Sequence, residues 1–159
     1  METTKTLPLT KKTIPSKTYL CHTFTTTLAD MMNNAGELVD ALYETVFEHG
    51  LEKVGVVEFI YIDCNGQPND PFTLKIAMPV KAGSKVGNTK FAIETRQEFK
   101  CVTYTHKGDV TELGSVYTTL YTTLRAEDYK LGNEVREVYE KFVSLHSPEN
   151  STEIQVGLL

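Results

Sequence analysis

The chain repeats one order of secondary-structure signals, and this repetition restricts its fold more than any other feature of the sequence. A segment rich in Tyr, Phe and Thr, residues 17–27, is strand-like and precedes an amphipathic helix pattern over about 30–49. Two further strand patterns follow, at 54–63 and 72–80. A chain that places a helix between strands in this way buries the apolar helix face against a sheet.

The same order returns in the second half of the sequence. Strand patterns at 90–95 and 99–106 precede a helix pattern over about 110–126, and strand patterns at 134–142 and 152–158 follow it. This agreement predicts an internal duplication in which two pseudo-symmetric strand–helix–strand–strand modules share one domain.

We therefore predict an α+β fold with one domain over 17–159, whose modules lie at about 17–82 and 89–159. The modules form one antiparallel sheet with both helices on one face, which leaves the opposite face for a ligand pocket. Residues 1–16, which are rich in Thr and Lys, are expected to form either a flexible arm or a short edge strand near Leu9–Ile14.

Both helix patterns carry an apolar stripe and a signal at one end. In the first, apolar residues recur at spacings of three and four, Asp30 is the expected N-cap, and Gly50 is the expected left-handed residue after the helix. In the second, Asp109 and Glu112 have the spacing of a capping box. The tyrosines of the second stripe, among them Tyr117, are expected in the core with their hydroxyls reaching its edge.

Composition excludes several classes of protein. Hydrophobic residues make up 40% and charged residues 23% of the chain, which is ordinary globular usage and excludes a disordered chain or a coiled coil. No apolar run approaches the ~20 residues that span a bilayer, so no membrane association is expected. Cys21, Cys64 and Cys101 lie far apart without a C-x-x-C pair, so we expect no disulfide, no metal site and a cytoplasmic location. No phosphate-binding glycine loop is present, so no cofactor is expected.

The charge is unevenly distributed along the chain. Residues 1–18 carry four lysines and one glutamate, giving +3, whereas residues 19–159 carry 12 basic and 20 acidic residues, giving −8. An acidic body repels phosphate backbones, so no direct binding of nucleic acid is expected, and cationic ligands are attracted.

Alternation along the strands assigns side chains to the two faces of the predicted sheet. If six apolar residues pack under the helices, seven others share the opposite face. The six are Ile60, Ile76, Met78, Val138, Ile154 and Val156, and the seven are Phe59, Tyr61, Lys75, Glu137, Tyr139, Glu153 and Gln155. Aromatic rings offer flat contact area, and a carboxylate among them can neutralise a ligand cation. The seven residues are therefore either a ligand-binding surface or the solvated face of a one-sided sheet.

Several segments together carry a family resemblance. Gly108-Asp109 opens the second helix, Arg136-Glu137-Val138-Tyr139 and Thr152-Glu153-Ile154-Gln155-Val156 follow it, and Val57–Asp63 and Ile76–Val80 agree with the pattern in the first half. Over about residues 17–159 the sequence resembles the GyrI-like small-molecule-binding domain, which is also the effector-binding domain of bacterial transcription activators. The resemblance implies a pocket at the junction of the modules, against the sheet face away from the helices. In multidrug-sensing members this pocket takes lipophilic, often cationic, compounds.

The resemblance also implies roles for individual residues. Glu153 and Gln155 match the acid and the aromatic of the family's T-E-I-Y segment, Glu137 and Tyr139 match its E-x-Y segment, and Tyr61 matches the tyrosine of the first-half strand. Gln155 stands where a tyrosine is common, which makes this wall more polar. Lys75 is placed to pair with Glu153 across the strands and neutralise it. Which of the two glutamates is the central acid stays open.

Three functions remain open at this point. The resemblance implies a stand-alone domain, monomer or homodimer, that binds a small lipophilic ligand as a sensor or sequestering protein linked to transcription regulation. One alternative is a hydrolase of a xenobiotic or reactive secondary metabolite, with a Glu and a Tyr of the same pocket as general acid and base. The other is a gyrase-inhibitor-like module that binds a protein partner through its acidic surface. The residues before the domain are too few for a helix-turn-helix, so we expect DNA to be read only through a partner.

Overall fold

The computed structural model describes residues 7–159 of the chain, which form eight strands and two α-helices. In chain order these elements are β1 (Thr10–Ile14), β2 (Lys17–Thr26), α1 (Ala35–Glu48), β3 (Glu58–Ile62), β4 (Phe72–Val80), β5 (Ala92–Arg96), β6 (Phe99–Lys107), α2 (Leu113–Ala126), β7 (Leu131–Lys141) and β8 (Ser151–Leu158). The part of the predicted N-terminal arm before residue 7 lies outside the described residues.

All eight strands join one antiparallel sheet in the order β1-β6-β8-β7-β3-β4-β2-β5. The two modules, β2-α1-β3-β4 and β6-α2-β7-β8, meet where β3 pairs with β7. If each strand is replaced by its counterpart in the other half of the chain and the sheet is read from its other edge, the strand order is the same. A pseudo-two-fold axis between β3 and β7 requires this agreement. The predicted α+β class, with two pseudo-symmetric strand–helix–strand–strand modules, is therefore confirmed.

The two outer strands are exchanged between the modules. The strand that precedes the first module, β1, pairs with β6 of the second, and β5, which precedes the second module, pairs with β2 of the first. These crossings tie the modules together at both edges of the sheet, in addition to the central pairing of β3 with β7.

The ends of the helices follow from local sequence. Helix α1 begins at Ala35, after a 3-10 turn at Met31–Asn33, and the side chain of Asp30 makes no capping hydrogen bond, so the predicted N-cap was wrong. After the helix, Gly50 takes a φ of 62°, and the Leu51 N–H bonds the Val46 carbonyl. This is the predicted left-handed stop, which a glycine adopts without the steric cost of a Cβ.

The beginning of α2 is fixed by an aspartate. The Asp109 carboxylate accepts hydrogen bonds from the Thr111 backbone N–H at 2.8 Å and from the Thr111 hydroxyl at 2.6 Å. A 3-10 turn at Val110–Glu112 then leads into the helix at Leu113. Asp109 therefore satisfies an N–H that would otherwise lack a partner at the helix end. The Glu112 side chain makes no capping hydrogen bond in return, so only the Asp109 half of the predicted capping box forms.

Both helices pack on the same face of the sheet. Helix α1 covers Leu20, Ile76 and Met78, and α2 covers Ile154 and Val156. No described helix covers the opposite face, yet a second cluster of Tyr19, Cys21, Ile60 and Ala77 is buried there together with several charged side chains. We call the two surfaces the helix-facing face and the open face. Neither described helix has the length and apolarity to cross a bilayer.

Candidate functional site

The register of the strands divides the seven predicted site residues between the two faces of the sheet. Glu137 of β7 stands opposite Phe59 of β3 and Ile154 of β8, whereas Val138 stands opposite Glu153. Cross-strand partners share a face. Phe59, Tyr61, Glu137 and Tyr139 therefore lie on the helix-facing face, and Lys75, Glu153 and Gln155 lie on the open face. The predicted single surface of seven residues, facing away from the helices, was wrong.

Two strand assignments caused this error. Strand β3 carries Ile60 and Ile62 on one face and Phe59 and Tyr61 on the other, so its alternation does not reveal that Ile60 lies on the open face while its neighbours pack under α1. Val138 was likewise placed under the helices although it faces the open side, opposite Glu58. The E-x-Y pattern of β7 and the E-x-Q pattern of β8 resemble each other, but in the observed register they point in opposite directions.

Glu137 is the centre of the polar group on the helix-facing face. Its side chain is almost fully buried, with 3% exposure. One carboxylate oxygen accepts hydrogen bonds from the hydroxyls of Tyr61 at 2.8 Å and Tyr139 at 2.6 Å, and the other accepts one from Tyr117 at 2.7 Å. We call these four residues the tyrosine–glutamate cluster. Three neutral donors thus replace the water that the carboxylate loses on burial.

Three elements position the tyrosine–glutamate cluster. Tyr139 follows Glu137 by two residues on β7, so both side chains leave the same face, and Tyr61 reaches the carboxylate from the adjacent strand β3. Tyr117 comes from α2 above the sheet. The sequence pattern placed Tyr117 only in the core, and its role was missed. A half-buried Tyr on the inward stripe of a helix needs a polar partner for its hydroxyl, and that need was the available signal.

Aromatic rings surround the cluster. Phe59 meets the Tyr139 ring edge-on with centroids 5.0 Å apart, and Tyr61 is stacked on Phe72 at 5.6 Å. Tyr117 is stacked on Tyr121 of the next helical turn at 6.2 Å. Each ring presents a face of negative electrostatic potential, which favours contact with a cation or an apolar group.

The carboxylate of Glu137 has no cationic partner. Among residues 7–159, every ion pair involves other acidic side chains. Burial raises the pKa of Glu137 above its ordinary value, and the three tyrosine hydroxyls oppose this effect without cancelling it. Burial and the neighbouring carboxylate also raise the pKa of Tyr61, Tyr117 and Tyr139, so all three remain protonated donors at neutral pH.

The three predicted residues on the open face have other partners. Lys75 does not pair with Glu153, as the sequence suggested; its ammonium lies 2.9 Å from Glu94 of β5. Glu153 instead accepts a hydrogen bond from Lys12 of β1 at 2.6 Å and another from the Gln155 amide at 2.6 Å. The sequence left open which glutamate is the central acid. Glu137 has no counter-charge, whereas Glu153 is neutralised.

The tyrosine–glutamate cluster is closed in this conformation. One surface cavity is lined by Ser84–Gly87 and Phe91–Ile93, and another by Thr95–Phe99, Glu134 and Arg136. Neither of these two cavities is lined by a member of the cluster, and the tyrosine hydroxyls occupy both oxygens of the buried carboxylate. Among the described residues, no three His, Cys, Asp or Glu side chains are placed to hold a metal ion.

Comparison with protein families identifies one match. The profile of the GyrI-like small molecule binding domain matches residues 7–159. A comparison with curated proteins gives no match.

Solved structures with the same fold include the C-terminal domain of EcmrR, SAV2435 and a hydrolase. The C-terminal domain of EcmrR superposes with a TM-score of 0.80 at 20% identity, over 96% of this chain and 97% of that one. This chain spans 58% of the EcmrR chain in its complex with DNA. SAV2435 bound to tetraphenylphosphonium gives a TM-score of 0.66 at 12% identity, over 96% and 94% of the two chains. A hydrolase from Listeria innocua gives 0.68 at 10% identity, over 97% and 93%.

Proposed function

The chain belongs to the family of GyrI-like small molecule binding domains, and on that premise we propose that it binds a lipophilic organic cation on the helix-facing face of the sheet. Glu137 is the counter-ion in this proposal, and the surrounding aromatic rings form the contact surface. The observation that carries the proposal is a buried carboxylate that three tyrosines hold without any cation.

Electrostatics favours a cation over other ligands. A charged carboxylate in a poorly solvated place costs free energy, which appears as the raised pKa of Glu137. A cation brought next to it removes this cost, and its attraction to the carboxylate is stronger there than in water because the surroundings are apolar. Once the cluster has opened, lipophilic substituents on the cation would contact the rings of Phe59, Tyr61 and Tyr139.

Access to Glu137 requires one tyrosine hydroxyl to leave. Tyr61 and Tyr139 belong to paired strands, whereas Tyr117 belongs to α2, which contacts the sheet mainly through apolar side chains. We therefore assign Tyr117 as the movable group, whose hydroxyl occupies one side of the carboxylate until the ligand replaces it.

The biological role proposed for this binding is that of a cytoplasmic sensor or sequestering protein. EcmrR, whose C-terminal domain shares this fold, forms a complex with DNA. A link of this chain to transcription regulation through a protein partner is consistent with that likeness and with its acidic charge, which disfavours direct contact with DNA.

Isothermal titration with two ions of the same shape tests the proposal. Tetraphenylphosphonium, a cation, should bind, and tetraphenylborate, an anion, should not. Glu137→Gln should weaken binding of the cation at least about tenfold, because a desolvated cation–carboxylate contact is lost. The matched control is Glu153→Gln, which removes a buried carboxylate from the other face, and Glu44→Gln, on an exposed helix position, is a second control. Equal loss in all three variants would contradict the assignment.

The tyrosine–glutamate cluster also favours a second candidate function, the hydrolysis of a reactive small molecule. A carboxyl group with a raised pKa, 2.6–2.8 Å from three phenol groups, has the parts of a general acid–base pair. Incubation with styrene oxide, a strained electrophile, tests this function. Turnover that disappears in Glu137→Gln would support a hydrolase, and binding without turnover would support the sensor. Absence of both would direct the search to protein partners of the acidic surface.

A further inference from the structure

The open face of the sheet contains a network of charged side chains that the proposed function does not use. Within residues 7–159 this network joins four cations to three carboxylates through direct hydrogen bonds. The cations are Lys17, Lys75, Arg96 and Arg136, and the carboxylates are Glu58, Glu94 and Glu134. The network as a whole therefore carries one positive charge in excess.

The carboxylates of this network already have donors on both oxygens. Glu58 accepts from Lys17 and from the Tyr19 hydroxyl, both at 2.9 Å. Glu94 accepts from Lys75 at 2.9 Å and from Arg96 at 2.7 Å. Glu134 accepts from Arg136 Nε at 2.6 Å and from Arg96 Nη2. Because the carboxylate oxygens already have donors, the network needs no further donor. Its cations can still donate to a ligand that brings a hydrogen-bond acceptor.

One buried donor of the network lacks a partner among the described residues. The Nε–H of Arg96 is buried and has no hydrogen-bond acceptor among the described residues. Nearby, the Arg136 side chain is 2% exposed, and its guanidinium lies 4.0 Å from the centroid of the Phe99 ring. Its hydrogen bonds use Nε and Nη1, to Glu134 and Tyr19. A buried guanidinium N–H without an acceptor is costly, and a ligand oxygen would remove the cost.

A cavity opens at the same place. It has a volume of about 300 Å³ and is lined by Thr95–Phe99, Glu134 and Arg136, where the link between β5 and β6 crosses the open face. We call it the arginine groove. Its volume is at the lower end of the range for small-molecule sites, and the Phe99 ring supplies one apolar wall.

We propose that the arginine groove binds a small aromatic carboxylic acid, with the carboxylate on the guanidinium groups of Arg96 and Arg136 and the ring beside Phe99. Planar guanidinium groups match the geometry of a carboxylate better than an ammonium does. In this arrangement the ligand's carboxylate supplies the acceptor that the Nε–H of Arg96 lacks, and it neutralises the excess positive charge of the network.

Two glutamates line the arginine groove, and their negative charges would repel an anionic ligand. Neither cancels the attraction of the two arginines for the anion. Glu134 lies between Arg96 and Arg136 and is neutralised by both. Glu98 is exposed to solvent, where water and salt screen its charge. The buried part of the groove is therefore the cationic part.

This site is separate from the tyrosine–glutamate cluster. Arg136 and Glu137 are neighbours on β7 and point to opposite faces of the sheet. The two proposals can therefore be tested independently. If no cation binds at the tyrosine–glutamate cluster, the proposal for the arginine groove is unaffected, and the reverse also holds.

An NMR titration at constant ionic strength tests the charge that the groove prefers. Benzoate, benzamide and benzamidine have the same ring and carry a negative, a neutral and a positive group. Benzoate should shift the backbone amides of 95–99 in a saturable way, with a Kd about tenfold or more below that of benzamide. Stronger binding of benzamidine, or no saturable shift with benzoate, would overturn the proposal. A tetrapeptide ending in Phe distinguishes a protein C-terminus from a free acid, and tighter binding of the peptide than of benzoate would also overturn it.

Three variants locate the site. Arg96→Lys keeps the charge but removes the Nε–H, and it should weaken benzoate binding about tenfold. Arg96→Gln removes both and should weaken benzoate binding more than Arg96→Lys does. Arg125→Gln is the matched control, because it removes one positive charge at an exposed position on α2. Glu137→Gln should leave benzoate binding unchanged. If the Arg96 variants fail to fold, the saturable shifts at 95–99 in the unaltered protein decide the matter. Equal weakening in Arg125→Gln would show a non-specific charge effect and overturn the proposal.

Discussion

Replacing Tyr61 by Phe removes one of the three hydroxyl donors to Glu137 and leaves the ring in place. The bond is 2.8 Å long and lies in the core, where the Tyr61 side chain is 8% exposed. Where the pH is well above the folded-state pKa of Glu137, the carboxyl group is charged, so the loss should cost about 1.5–3 kcal/mol of unfolding free energy, the usual value for a hydrogen bond to a charged group. At about pH 4 it is protonated in the folded protein, and the loss should cost about 0.5–1.5 kcal/mol.

The sign of this pH dependence follows from the pKa of Glu137. Burial raises that pKa in the folded state, and the tyrosine bonds lower it, so removal of one bond raises it further. The folded variant then binds a proton more tightly than the unfolded chain does. Proton binding at Glu137 therefore stabilises the folded variant, and this contribution is complete below the unfolded pKa of about 4.3. It is lost as the pH rises through the folded pKa, so the stability of the variant falls more steeply with pH than that of the unaltered protein.

Urea unfolding followed by circular dichroism at both pH values measures this difference. Tyr121→Phe is the control, because the Tyr121 ring stacks on Tyr117 but its hydroxyl makes no bond to the carboxylate among the described contacts. This control should cost little at either pH. A cost of Tyr61→Phe that is equal at both pH values, or larger in acid, would refute the view that the hydroxyl stabilises a charged Glu137.

Three further substitutions test the fold. Gly157→Ala should lower stability by about 1–3 kcal/mol in thermal unfolding, because its Cβ would lie 2.7 Å from the Glu134 carbonyl oxygen and 2.8 Å from the Phe99 ring. Gly114→Ala, in α2 with open space around the new Cβ, should instead raise stability by about 0.5–1 kcal/mol. Bonds from Thr111 and from His146 lower the pKa of Asp109 to about 2, so Asp109→Asn should lower the Tm at neutral pH. That difference should disappear as the pH falls from about 4 towards 2, where the aspartate becomes protonated.

The elements and their order could be predicted from local patterns. The apolar stripes of both helices, Gly50 at the end of α1 and Asp109 at the beginning of α2 are short-range signals, and the structure contains each of them. The repeated order of elements then predicted the sheet with its helices on one face. Asp30 failed as a cap because a 3-10 turn at Met31–Asn33 comes before the helix.

The site could be predicted only in part, because strand register is a long-range property. Glu137 and Glu153 were both candidates, and nothing in β7 or β8 alone shows that they face opposite sides. Irregularities in the β7–β8 pairing, between Leu131 and Val135 and between Tyr139 and Lys141, also break simple counting along the strand. Lys12, which neutralises Glu153, comes from an edge strand that pairs with the other module. No local pattern predicts that partner.

The position of a bound cation tests the central claim most directly. A crystal structure with tetraphenylarsonium would locate the cation through the anomalous signal of arsenic. We expect the arsenic on the helix-facing face, within about 6 Å of the rings around Glu137, with the Tyr117 hydroxyl moved away from the carboxylate. A cation bound on the open face, or one bound while Tyr117 still donates to Glu137, would contradict it.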